Sequence, residues 1–217
     1  MVSVENNEYK YKIIIKNIIE RNRFLQRFVK PLMKKIAHQI PQPRDFLLNN
    51  LPPNPICCEV GVWKGEFSKR IIQVAKPKKL YLIDPWKYFG EDYFYNREQP
   101  EQKFMQEAQD MRYEMVKESF ANELSSNTVE IIRGTSDEAA SKFEDEIFDF
   151  VYIDGNHSYD FVKQDITTYY KKTKPNGIVA GDDYRMKDVQ RAVQDFVKEN
   201  SIKNFSVKND QFIIKKS

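Results

Sequence analysis

Beyond residue 55, apolar residues fall in short runs, and polar segments of helical length separate them. ICCEV (56–60), LYLID (80–84), VEIIR (129–133), FDFVYI (148–153) and GIVAG (177–181) read as buried strands. Helices are expected over 66–75, 100–123, 158–171 and 187–200. Thr135 and Glu138 have the Thr-x-x-Glu spacing of a capping box, which opens a further short helix. Pro175-Asn176-Gly177 predicts a turn, and the segments NFSVK and QFIIK around Asn209-Asp210 predict a β-hairpin. Strands alternating with helices imply a mostly parallel sheet with right-handed crossovers. The expected class is α/β, Rossmann-like and doubly wound.

The first fifty residues follow a different pattern. Residues 9–38 carry apolar positions at helical spacing, among them Ile14, Ile15, Ile18, Ile19, Leu25 and Phe28, with a break near Pro31. The polar positions there hold nine Lys or Arg against Glu20 alone. Such a helix packs on the domain or on a second subunit, or it lies on an anionic membrane or ligand surface. Pro41, Pro43, Pro52, Pro53 and Pro55 then punctuate a linker. The expected organisation is an N-terminal helical extension and linker over 1–50 and a single domain over 51–217, assembled as a homo-oligomer.

Composition narrows the class. A chain of 217 residues, 41% hydrophobic and 31% charged, can bury one sizeable core. No apolar run approaches the ~20 residues of a membrane span, and MVSVENNEYK lacks the pattern of a secretory leader. Cys57 and Cys58 are neighbours in a strand and point to opposite faces, so they are expected to be reduced thiols of a cytoplasmic protein. A net charge of +3 does not by itself call for nucleic acid.

The candidate chemistry lies at the strand tips. In an open α/β sheet, ligands bind at the carboxyl ends of the strands. Gly61 and Gly65 follow the first strand in Glu59-Val-Gly61-Val-Trp63-Lys-Gly65, where glycines allow a tight turn and close approach of a ligand. A plain structural turn is the alternative. Asp84 ends the second strand and can accept hydrogen bonds from ribose hydroxyls, so the two motifs together suggest an adenosine-type cofactor. A pyrophosphate site disfavours a nearby acid. Glu59 therefore tilts the reading from a dinucleotide toward a cofactor with a cationic amino group, S-adenosylmethionine. The fourth strand ends at Asp154, with His157 three residues on, and the fifth ends at Asp182 and Asp183. Adjacent carboxylates repel unless a cation lies between them, which favours a metal over a capped turn. Six of the ten residues in WKYFGEDYFY (86–95) are aromatic, suiting a lid over the site or a buried cover.

Five segments, EVGVWKGEFS, LYLIDPW, VEIIRGTSDEAA, YIDGNHSYDFVKQDI and KPNGIVAGDDY, stand in the order of class I S-adenosylmethionine-dependent methyltransferases. More narrowly, the chain resembles the macrocin and mycinamicin sugar O-methyltransferases over about residues 56–200. The resemblance implies a seven-stranded sheet with an antiparallel last strand. It implies S-adenosylmethionine contacts from Glu59, Gly61, Trp63, Gly65, Asp84, Pro85, Thr135, Ser136 and Asp154, and Mg²⁺ held by Asp154, Asp182 and Asp183. Methyl transfer to a hydroxyl of a small sugar or glycoside follows, with Asp154 and His157 as the catalytic pair. Some sugar-modifying relatives carry an acid two residues after the first metal aspartate; here Asn156 stands there and takes no proton, which leaves His157 as candidate base. Two alternatives stay open: a methyltransferase-fold binding protein without turnover, and an NAD-dependent oxidoreductase.

Overall fold

The apolar runs form central parallel strands because helices cover both faces of the sheet they build. The computed structural model describes residues 42–89 and 103–217. Five strands, β1 (Ile56–Val60), β2 (Lys79–Asp84), β3 (Val129–Arg133), β4 (Phe148–Ile153) and β5 (Thr173–Gly181), are parallel; β6 (Phe205–Lys208) and β7 (Gln211–Lys215) close the sheet as an antiparallel hairpin. The order is β3-β2-β1-β4-β5-β7-β6. Among the described residues, six α-helices accompany them: α1 (Glu66–Ala75), α2 (Lys103–Ser119), α3 (Ala121–Ser125), α4 (Ser136–Ala140), α5 (Tyr159–Lys172) and α6 (Lys187–Glu199). None of the described helices is long and apolar enough to cross a membrane.

Two apolar layers hold the sheet. On one face Cys58, Val60, Val151 and Ile153 pack against Val162, Ile166 and Tyr169 of α5 and Val189, Val193 and Phe196 of α6. On the other, Cys57, Leu80, Leu82, Phe150 and Tyr152 meet Phe67 and Ile71 of α1, Val116 of α2, and Phe120. Strand neighbours alternate faces, so Cys57 and Cys58 enter different layers and both are free thiols.

The expected elements are found, with two differences. The helix expected over 100–123 is broken at Phe120, whose φ of −113° and ψ of 21° leave the helical region. That break buries the Phe120 ring close beneath Gly65. The turn expected at Pro175-Asn176-Gly177 is a bulge inside β5: Phe148 pairs with Thr173, and Phe150 pairs with Ile178. Proline has no N–H for the ladder, and Asn176, with φ of 65°, turns the chain out and back. The expected basic helix over 9–38, its break at Pro31, and residues 90–95 of the aromatic segment lie outside the described residues.

The compact unit that carries the sheet begins at Arg44. A 3₁₀ turn, Asp45–Leu47, leads into it, and Leu47 and Leu48 are buried in the α1 layer. Arg70 of α1 grips Asp45 with both ends of its guanidinium, Nε donating to Oδ1 at 2.6 Å and Nη2 to Oδ2. This bidentate geometry is the strong form of ion pair, and it fixes the backbone next to Arg44. Asp45→Ala is expected to cost on the order of 2 kcal/mol in urea unfolding; an unchanged midpoint and slope would contradict the anchoring role.

Candidate active site

The chain leaves β1 leftward toward β2 and β3, and returns to β4 on the other side. The switch point therefore lies between β1 and β4, where open α/β sheets hold their ligands. Gly61 sits at this point with φ of 89°, and a Cβ there would lie 2.1 Å from the Asp154 carbonyl oxygen and 2.7 Å from the Gly155 nitrogen. Only glycine allows that approach. Hydrogen bonds on either side complete it: Gly61 N–H donates to Ile83 O at 2.8 Å, and Asp154 N–H donates to Val60 O at 2.7 Å. The loop continues to Gly65 (φ 71°), which opens α1 without a side-chain cap. The first-turn amides of α1 are therefore left without a side-chain cap, as at helix starts that hold anions.

Asp84 organises this loop. Its Oδ2 accepts the backbone N–H groups of Val62 (3.0 Å) and Trp63 (2.9 Å), and its Oδ1 that of Trp86 (2.7 Å). Trp63 and Trp86 both hold left-handed backbones, with φ of 50° and 39°, a conformation costing of order 1–3 kcal/mol each. The Trp86 indole is buried and donates Nε1–H to Trp63 O at 2.9 Å. The Trp63 ring is instead 56% exposed on the loop's rim, with Lys64 Nζ 4.6 Å from its centroid. Burial raises the Asp84 carboxyl, and the three amides oppose that rise. A carboxylate offers about four lone-pair sites, so three amides leave one for an outside hydroxyl.

Glu59 lies beneath the loop and is 2% exposed. The Ser68 hydroxyl of α1 donates to its Oε2. Burial pushes the Glu59 carboxyl up to about 8, with Asp154 and Asp84 adding to the rise and Ser68 and Arg44 opposing it. At neutral pH this carboxyl holds its proton, and a cation placed beside it would favour release.

The tips of β4 and β5 form the acidic rim. Asp154 Oδ1 lies 3.7 Å from His157 Nε2, which in turn lies 3.0 Å from Asp183 Oδ2. The first contact is too long for a hydrogen bond and the second is not directed as one, so Nε2 is enclosed without a hydrogen bond. The pull of Asp154 raises His157 above the ordinary imidazole value; burial opposes it, and Asp183 reinforces it. The Asn156 carboxamide accepts Ser158 N–H at 2.8 Å and so shapes the entry to α5. Asp183 has φ of 56°, and its N–H donates to its neighbour, Asp182 Oδ1, at 2.9 Å.

The three rim aspartates do not converge on one point. Among the described residues, possible ligand atoms come within 4.8 Å of one another in two groups, Asp154 with His157 and Asp183, and Asp182 with Asp183 and Asp210. Arg44 stands between Asp154 and Asp182, donating to Asp182 Oδ2 and lying 3.5 Å from Asp154 Oδ2. The guanidinium thus offsets Asp154 and Asp182, not the adjacent pair Asp182 and Asp183 for which a cation was expected. The hard oxygen donors still suit Mg²⁺, on the condition that Arg44 yields its place.

A cleft of about 440 Å³ opens beside Asp84, lined by Pro85, Lys87, Phe89, Arg133, Gly134 and Thr135 among others. The Thr135 side chain is committed to the capping box of α4, where it exchanges hydrogen bonds with Glu138. Ser136 opens that helix, and its carbonyl accepts the Tyr169 hydroxyl at 2.9 Å.

Comparison with known proteins decides what this crevice belongs to. The family model described as a methyltransferase domain matches residues 58–184. The chain belongs to the methyltransferase-domain family. Its sheet has the class I S-adenosylmethionine-dependent fold. The O-methyltransferase NovP superposes with a TM-score of 0.57 at 18% identity, covering 84% of this chain and 78% of NovP. A putative caffeoyl-CoA O-methyltransferase from Staphylococcus aureus superposes at 0.53 with 17% identity, covering 95% and 99%. In sequence, an uncharacterized protein of Acanthamoeba polyphaga mimivirus, R132, is 28% identical over 130 residues, or 58% of this chain. The chain spans about half the length of that curated relative.

Within this domain, the structure brings Glu59, Gly61, Trp63, Gly65 and Asp84 into one loop system. It sets Pro85 and Thr135 on the adjoining cleft and Asp154 across the Gly61 contact. Ser68, Arg44 and Gln211 had not been singled out. Ser68 stands one helical turn inside α1, and that position was the signal available for it. Gln211 is 2% exposed; its carbonyl oxygen accepts the Tyr152 hydroxyl at 2.6 Å, and its amide donates to Asp182 Oδ1. It reaches the rim from the far end of the hairpin, where no local pattern marks it.

Gly61→Ala is expected to destabilise the methyltransferase by on the order of 2 kcal/mol and to weaken S-adenosylhomocysteine binding at least tenfold in calorimetry. Wild-type melting and affinity together would contradict the close approach. Glu59 gives a pH signature. Its folded value lies above the ordinary 4.5, so the folded state binds its proton more tightly. The stability it contributes is complete below about pH 4.5 and is lost as pH rises through about 8. Urea titrations at pH 5 and 8 should show a smaller loss for Glu59→Gln than for wild type, by on the order of a few kcal/mol; equal losses would contradict the buried protonated carboxyl.

Proposed function

We propose that this methyltransferase moves a methyl group from S-adenosylmethionine to a hydroxyl of a small acceptor, a sugar or glycoside, with Mg²⁺ at the acidic rim. The observation that carries the reading is the Gly61 contact with the Asp154 carbonyl, which sets a cofactor-type loop directly beside a cluster of carboxylates and an imidazole. Bound S-adenosylmethionine would supply an electrophilic methyl on a sulfonium. Bound Mg²⁺ would supply a hard Lewis acid that lowers the pKa of an acceptor hydroxyl.

The chain's residues do the remaining work. The loop held by Asp84 sets the uncapped start of α1, whose first-turn amides suit the cofactor's carboxylate end. Glu59 beneath them suits the cofactor's amino group, and the free lone pair of Asp84 suits a ribose hydroxyl. Pro85 and Thr135 border the cleft that fits an adenine. His157 Nε2, enclosed and without a directed hydrogen bond, is the proton acceptor for the attacking hydroxyl, and Asp154 and Asp183 stabilise the imidazolium that results. Fixing both reactants in line supplies a large share of the rate, up to roughly 7–11 kcal/mol in favourable systems.

The test is transfer of labelled methyl from S-adenosylmethionine to a panel of glycosides. His157→Ala should lower kcat by about a hundredfold or more while leaving S-adenosylhomocysteine affinity within a factor of three, and EDTA should suppress turnover. Cofactor binding with no transfer to any hydroxylated acceptor would favour a binding protein on this fold. Full turnover in EDTA would remove Mg²⁺ from the account.

A further inference from the structure

Resting on the proposed magnesium role, we infer that Arg44 is a built-in competitor for the rim's cation, and that divalent-metal binding and release of Arg44 are two sides of one equilibrium. The two oxygens of Asp182 are both engaged. Oδ1 accepts from Asp183 N–H and from the Gln211 amide; Oδ2 accepts from Arg44 Nη2. A metal seated between Asp154 and Asp182 would meet Asp182 Oδ2 where the guanidinium now stands. The second arm of the same guanidinium faces Asp154 Oδ2 at 3.5 Å, while Asp154 Oδ1 faces His157. A cation shared by Asp154 and Asp182 therefore meets a resident positive charge in its own seat, and like charges at such separations exclude each other.

Arg44 is seated by more than the carboxylates. Its guanidinium carbon lies 5.4 Å from the centroid of Phe67 and 5.5 Å from that of Tyr152, within the range at which rings attract a cation. Its planar fork matches paired carboxylates in a way a lysine ammonium does not. The neighbouring backbone is anchored by Asp45 on Arg70 and by buried Leu47 and Leu48. The side chain nevertheless keeps 33% of its surface exposed, so the guanidinium can swing to solvent without moving the 3₁₀ turn. Gln211 and Tyr152 continue to orient Asp182 when Arg44 leaves. Arg44 lies outside residues 58–184, which match the methyltransferase-domain model.

The coupling is reciprocal: whatever withdraws Arg44 tightens metal binding, and metal binding withdraws Arg44. The experiment is calorimetric titration of Mg²⁺ into the full-length protein with S-adenosylhomocysteine present, for wild type, Arg44→Lys and Arg44→Gln. The expected order is weakest for wild type and tightest for Arg44→Gln, with at least a tenfold gain between them and Arg44→Lys in the middle. Equal affinities for wild type and Arg44→Gln would overturn the competition while leaving the metal reading intact. Absence of Mg²⁺ binding in all three would overturn both. Should Arg44→Gln fail to fold, the wild-type protein decides. The Arg44 Nε–H resonance is expected to move toward that of a solvated arginine as Mg²⁺ is added, and an unmoved resonance at saturating Mg²⁺ would overturn the inference.

Discussion

The contact on which the site depends is the bare Cα of Gly61 against the peptide that joins Asp154 and Gly155. A methyl group there would sit inside van der Waals distance of three backbone atoms. The contact lies at the switch point between β1 and β4, where the sheet's connectivity reverses and the two neighbouring strand ends diverge. Because it is backbone on backbone, it joins the loop that suits the cofactor and the rim that suits the acceptor with little slack. Methyl transfer needs its two reactants held in line to a fraction of an ångström. A fold that brings the two loops together at one glycine has that property built in before either ligand arrives.

Charge is distributed around this contact in two different ways. Around the Gly61 loop, burial raises both carboxyls: Glu59 to about 8, and Asp84 above its ordinary value against the opposition of three amide donors. At the tips of β4 and β5 the carboxylates stay partly exposed and are offset by neighbours, His157 beside Asp154 and Asp183, and Arg44 between Asp154 and Asp182. The same residue type thus performs two tasks, set by environment. Buried near the loop, a carboxyl organises backbone; at the strand tips, it collects cations. The strained tryptophan backbones at 63 and 86 follow from the first task, since the amides that Asp84 gathers come from those residues.

Much of this was legible in the chain. Strands β1, β3 and β4 fall where alternating runs predict them, and the capping box at Thr135 is formed. These features depend on neighbours in sequence. The site was legible where its parts end strands, as at Asp84, Asp154 and Asp182. What the pattern could not give was pairing between distant segments. Nothing near Arg44 signals that it will stand between two carboxylates more than a hundred residues away, and nothing near Gln211 signals Asp182. The adjacent aspartates 182 and 183 suggested a cation between them, whereas the guanidinium that reaches this rim pairs Asp182 with Asp154, a partner set by the tertiary fold. Asn156 also has a local structural role: its carboxamide accepts Ser158 N–H and shapes the start of α5.

The central claim is that cofactor loop and acceptor rim behave as one mechanical unit through Gly61. Amide hydrogen exchange with and without S-adenosylhomocysteine tests it directly. The account predicts that protection rises together at residues 61–65 and at residues 154–157, although the second segment belongs to the acceptor side. Protection confined to 61–65 and the neighbourhood of Asp84, with exchange at 154–157 unchanged, would contradict it.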